Sequence, residues 1–97
     1  MRKELYIPQT RDQLYLKLQQ YFLYAIDTKR KKSLTYSFSS EEEAVFVLHE
    51  SLKNVFSSEP GKLARLRVTA DEAFAAARSG EVDLACDKFC EIVDEVR

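Results

Sequence analysis

The side chains with the most direct chemistry stand together at Lys29-Arg30-Lys31-Lys32. Four adjacent cations can meet phosphates, and five tyrosines, Tyr6, Tyr15, Tyr21, Tyr24 and Tyr36, all fall within the first 36 residues. Single-stranded nucleic-acid surfaces interleave cations and rings in this way, phosphates meeting Lys and Arg while bases stack on aromatics. Two plainer roles compete with that one. The cations can form a solvated turn or complement the C-terminal end of a preceding helix, and the tyrosines can belong to a core and its rim.

The opposite charge gathers at the other end of the chain, where Asp83, Asp87, Glu91, Asp94 and Glu95 fill one side of an amphipathic segment. Such a face can meet a basic protein, or act as a decoy for a nucleic-acid backbone, or simply keep the helix soluble. Asp94 and Glu95 lie where the helix macrodipole disfavours them and Arg97 offsets this only in part, which predicts a frayed C-terminus or an external cation. Cys86 and Cys90 are four apart on the same segment. With His49 they could serve as soft metal ligands or as a redox pair. Against this, a regular helix sets their Cβ vectors parallel, which does not suit a disulfide, and zinc sites usually take four ligands and closer knuckles. Small buried hydrophobes are the simpler reading. His49 and Glu50 have no serine or cysteine at an interpretable spacing, and Glu41, Glu42 and Glu43 diverge around a helix. With only Gly61 and Gly80 there is no phosphate-cradling loop. No catalytic residue, metal ligand, cofactor or small-molecule substrate is therefore assigned.

The elements that must position these groups are read from periodicity. Glu4 to Pro8 alternates and stops at proline, as a short strand does. Thr10 followed by Gln13 is a capping-box pattern, so a helix should begin near Arg11. Its apolar residues run round most of the circumference: Leu14, Leu18, Tyr21, Phe22 and Ala25 on one face, with Tyr15, Leu16, Leu23, Tyr24 and Ile26 extending it. The competing possibility is extended, with strands over 14–18 and 21–26 and a β-hairpin into 34–38. Helix-forming Lys, Gln, Leu and Ala favour the helix. Ser33 to Phe38 alternates apolar and hydroxyl residues and predicts a second strand. Ser40 and Glu43 form the next capping box, opening a helix that reaches about Ser57. Ser58-Glu59-Pro60-Gly61 then breaks the chain.

From Lys62 to Val96 two amphipathic arms fold back on each other at Ser79-Gly80. Leu63, Leu66, Ala70, Ala73, Phe74 and Ala77 line the first arm, and Val82, Ala85, Cys86, Phe89, Val93 and Val96 the second. Gly80 can take the left-handed conformation that closes a helix, and Ser79 or Asp83 can cap the next. The run Gly80-x-x-x-x-Ala85-x-x-x-Phe89 resembles the inner junction of a tetratricopeptide repeat. The resemblance implies a tight helical hairpin here. No second copy stands at a repeat period, so it is a likeness to one hairpin and not to a solenoid.

The expected fold is thus α+β, mainly α, in a single compact domain spanning residues 1–97: strand, helix, strand and three helices, or alternatively an N-terminal β-hairpin followed by three helices. The chain has 97 residues and a net charge of −1. That balance hides a division. Residues 1–32 hold eight basic and three acidic side chains, +5, while residues 33–97 hold seven and thirteen, −6. No apolar run approaches the roughly 20 residues that span a bilayer, and the N-terminus lacks the apolar core of a signal peptide. A cytoplasmic setting without membrane contact is expected. The surplus apolar surface of the first helix predicts a small non-catalytic protein that acts through a protein partner or its own copy as a homodimer. Tyr15, Leu16, Leu23 and Tyr24 would form the contact, with Asp87 and Glu91 on the acidic face. The alternatives are nucleic-acid binding through Lys29, Arg30, Lys31 and Lys32, or the acidic decoy.

Overall fold

The computed structural model describes residues 6–30 and 40–97, and those residues form four helices and no strand. These are α1 (Arg11–Arg30), α2 (Glu41–Phe56), α3 (Pro60–Arg78) and α4 (Val82–Val96). The α+β expectation is corrected accordingly. Tyr6 to Pro8 are not a strand: they find no partner strand among the described residues, and Pro8 is buried with its carbonyl accepting a bond from Asn54 Nδ2 at 3.0 Å. The β-hairpin alternative over residues 14–26 is also overturned, because α1 runs through all of them. The second expected strand, Ser33 to Phe38, lies outside the described residues.

Local signals set most boundaries. At the start of α1, the Gln13 amide donates to Thr10 Oγ1 at 3.2 Å, and Gln13 Oε1 in turn accepts from the Gln9 amide at 2.8 Å. Two orphan donors are satisfied, the reciprocal arm falling one residue earlier than in a standard capping box. Ser40 caps α2 by accepting the Glu43 amide at 3.1 Å, with three glutamates in the first turn where the macrodipole favours them. Pro60 occupies the first turn of α3, where its missing N–H costs nothing. Gly80, at φ +78°, closes α3, with its amide bonding Ala77 O and the Glu81 amide bonding Ala76 O. Neither Ser79 nor Asp83 caps α4; Glu81 holds that position without a side-chain bond.

The helices run alternately up and down, each packing on the next in sequence. The α3–α4 seam is the most extensive and the α1–α2 seam the thinnest, while α2 and α4 lie across the bundle without packing. Ala70, Ala73, Ala76 and Ala77 are all buried, so α3 presents a smooth surface against which its neighbours come close. Phe74 and Phe89 fill the space that remains. Their rings meet edge to face at 5.6 Å, and Tyr21 contacts both at 5.8 and 5.5 Å. Each such pair contributes about 1 kcal/mol beyond the area it buries. Leu14, Leu18, Leu48, Leu52, Phe56, Leu66 and Ile92 complete one core shared by all four helices.

Candidate functional site

The geometry of α1 follows from its wheel. Leu14, Leu18, Tyr21 and Ala25 face the core; Phe22 packs on Phe89 of α4 at 6.1 Å; and Lys17, Tyr21 and Tyr24 turn toward α2. What is left points away from the bundle. Leu16 is 68% exposed and Leu23 43%, two helical turns apart on one stripe, with Asp12 and Gln19 also exposed beside them. Phe46, Val68 and Leu84 are the exposed large apolar residues of the other helices, one on each. Among the described residues, α1 is the helix that carries two.

The expected contact surface is therefore narrower than its four residues. Leu16 and Leu23 lie on it. Tyr15 is half-buried and packs against the core, and Tyr24 is only 3% exposed. Tyr24 is corrected to a core residue: its ring meets Phe74 edge to face at 5.8 Å, and its hydroxyl donates to Glu41 Oε1 at 3.0 Å. Glu41 also accepts from Arg78 Nη1 at 2.8 Å, so one carboxylate joins α1, α2 and α3. Of the remaining tyrosines, Tyr21 is buried and donates to Ala44 O at 2.6 Å, and burial pushes its phenol well above the ordinary range. Tyr6 is exposed and stands 5.7 Å from Lys17 Nζ. Tyr36 lies outside the described residues. Two of the five rings proposed for base stacking are thus committed to the core. Of the basic run, Lys29 and Arg30 form the last turn of α1, and Lys31 and Lys32 lie outside the described residues.

On α4, Lys88 and Glu95 reach toward α3, so Cys86 and Cys90 turn toward α1. Asp83, Asp87, Glu91 and Asp94 remain on the outside, all exposed. Glu91 has Lys88 at 3.7 Å and Asp94 has Arg97 at 3.2 Å. No cation among the described residues pairs with Asp83 or Asp87. α1 and α4 are antiparallel neighbours, so this acidic row lies on the helix packed beside the one that carries Leu16 and Leu23. Cys86 is half-buried against the core, and its burial, with Cys90, Asp83 and Asp87 adding to it, pushes the thiol up.

The end of α4 shows where its unfavourable charges find compensation. Arg11 donates to the Glu95 and Val96 carbonyls, both at 3.1 Å, and Lys62 and Arg65 pair with Glu95 at 3.1 and 3.4 Å. The compensating cations are side chains of the same chain, supplied by α1 and α3. The hydrogen bonds from Lys62, and then Arg65, hold the Glu95 carboxyl below the usual carboxylate range.

His49 donates to Asp71 Oδ1 at 2.8 Å across the α2–α3 seam, and the Arg67 guanidinium lies 3.5 Å from the His49 carbonyl. This pairing was not readable from the sequence, since no spacing links positions 22 apart on different helices. It also separates His49 from the cysteines, which face α1 from the opposite helix. Among the described residues no three His, Cys, Asp or Glu side chains gather as a metal set. A shallow groove of 420 Å³ lies where α3 meets α4, floored by Ala75, Ala76 and Leu84 and rimmed by Glu72 and Lys88, which pair at 3.3 Å.

No described helix is long and apolar enough to cross a membrane. No protein-family model, no curated protein and no solved structure matches this chain. The likeness of residues 80–89 to a tetratricopeptide hairpin accordingly stays a matter of local geometry: a left-handed Gly80, with Ala85 and Phe89 buried at the crossing.

Proposed function

We propose that this is a small non-catalytic cytosolic protein that works through protein contacts, self-association among them, made by the outer face of α1. The observation that carries the reading is the placement of Leu16 and Leu23. Both are large, exposed and aligned on one stripe, although the same helix already gives Leu14, Leu18, Tyr21, Tyr24 and Ala25 to the core. Burying either leucine in a partner is worth roughly 1.5–3 kcal/mol, so the pair can anchor a modest interface. The uncharged Gln19 between them adds no charge to desolvate.

Size-exclusion chromatography with light scattering tests this on the whole protein. The wild type should show a mass that grows with concentration, and a Leu16→Gln/Leu23→Gln variant should remain monomeric with unchanged helix content. A wild type that elutes as a clean monomer throughout, and that binds no more apolar dye than the double variant, would end the self-associating reading.

A further inference from the structure

The two cysteines of α4 are not the buried filling that the sequence suggested. Cys86 is half-buried, and Cys90, one turn further along the same helix, is exposed. We propose that Cys86 and Cys90 form a two-thiolate site on the surface of α4 for a single soft monovalent cation, copper(I) in type, held linearly between the two sulfurs.

The helix sets the span. Side chains four apart share a face, with Cβ atoms about 5–6 Å from each other. A disulfide needs them facing and closer, at about 3.8 Å, which is why this pair does not suit one. A linear ion asks for more room: on the scale of a zinc–thiolate bond, about 2.3 Å, it sets its two sulfurs roughly 4–5 Å apart. Parallel Cβ vectors at helical spacing meet that requirement. The objection to zinc also loses its force. A tetrahedral ion needs four ligands, yet among the described residues no three His, Cys, Asp or Glu side chains gather, and His49 is engaged with Asp71 across the α2–α3 seam. Two thiolates alone favour a soft ion.

The surroundings give an order of events. Exposed Cys90 meets the ion first, and half-buried Cys86 closes the chelate. Asp83 and Asp87, exposed on the same stretch of helix, draw a cation toward it. Burial above all, with Cys90, Asp83 and Asp87 adding to it, pushes the Cys86 thiol up. Uptake therefore releases protons: two thiols and one monovalent ion give one bis-thiolate complex and two protons.

Anaerobic titration of the reduced full chain with copper(I), in competition with a chromophoric copper(I) chelator, tests this. The wild type should take up one ion per chain and release two protons. Cys86→Ser and Cys90→Ser should each bind at least about a hundredfold more weakly, because the second thiolate no longer comes from the same chain. A Cys90→Ser/Glu91→Cys variant keeps two thiols but turns one off the shared face, and it should bind as weakly as the single variants. Circular dichroism confirms that each variant is folded. Equal affinity in the Cys90→Ser/Glu91→Cys variant would overturn the site, since any two thiols would then serve. So would a Cys86→Ser protein that binds like the wild type, a ratio of one ion to two chains, or tighter binding of zinc(II) than of copper(I) in the same competition.

Discussion

Tyr21 shows most clearly how single side chains organise this molecule. Its ring sits between Phe74 and Phe89, and its hydroxyl reaches Ala44 O, so one residue ties α1 to the other three helices. Tyr21→Phe keeps the shape and removes the bond, which should cost about 1 kcal/mol in urea unfolding. Phe74→Ala, which leaves a hole at the same centre, should cost about 3–5 kcal/mol. A Tyr21→Phe loss as large as that of Phe74→Ala would mean that the hydroxyl and not the packing fixes the helix arrangement. At this scale the sequence was readable where one face of a helix is unambiguous: Leu14, Leu18, Ala70, Phe74, Ala85 and Phe89 are all buried as their spacing requires. It was not readable at the flanks. Tyr24 and Leu23 are adjacent and both apolar, yet α2 covers Tyr24, where Glu41 satisfies its hydroxyl, and nothing among the described residues covers Leu23. Only the position of a neighbouring helix distinguishes them.

At the scale of elements, the helix boundaries were written in local chemistry, while the strand expected over residues 4–8 does not form in its described part, Tyr6 to Pro8. Alternation over so few residues makes a strand only when another strand lies beside it. Here Asn54 of α2 takes the Pro8 carbonyl instead. The turn at Gly80 rests on backbone alone: a Cβ there would meet no atom within 4 Å, but φ is +78°. Gly80→Ala should therefore destabilise by about 1–2 kcal/mol through strain, read as a lower urea midpoint with an unchanged slope. The end of α4 should respond to acid. Glu95 has its carboxyl held below the ordinary range by Lys62 and Arg65, so the folded state binds its proton less readily than the unfolded chain. That stability is fully present above the unfolded value and is lost as pH falls through the folded one. The thermal midpoint should drop across this acidic window, and the drop should be smaller in Glu95→Gln. Equal acid sensitivity in both proteins would place the critical carboxylate elsewhere.

Taken whole, the molecule joins one shared core to two exposed features, the leucines of α1 and the acidic row of α4. The α3–α4 hairpin supplies rigidity and most of the aromatic centre, and the thin α1–α2 seam is stitched by the polar contacts of Tyr21 and Tyr24. The division of charge along the chain was visible from composition, but its meaning required the fold. Only the antiparallel packing of α1 on α4 sets the acidic helix beside the one that carries Leu16 and Leu23. The central claim is that the outer face of α1 is a contact surface. Backbone amide NMR spectra of the wild type, recorded from micromolar to millimolar concentration at low salt, test it most directly. Shifts should move progressively at Leu16, Gln19 and Leu23 of α1. Spectra that do not change with concentration, or that change on the α2–α3 side instead, would contradict it.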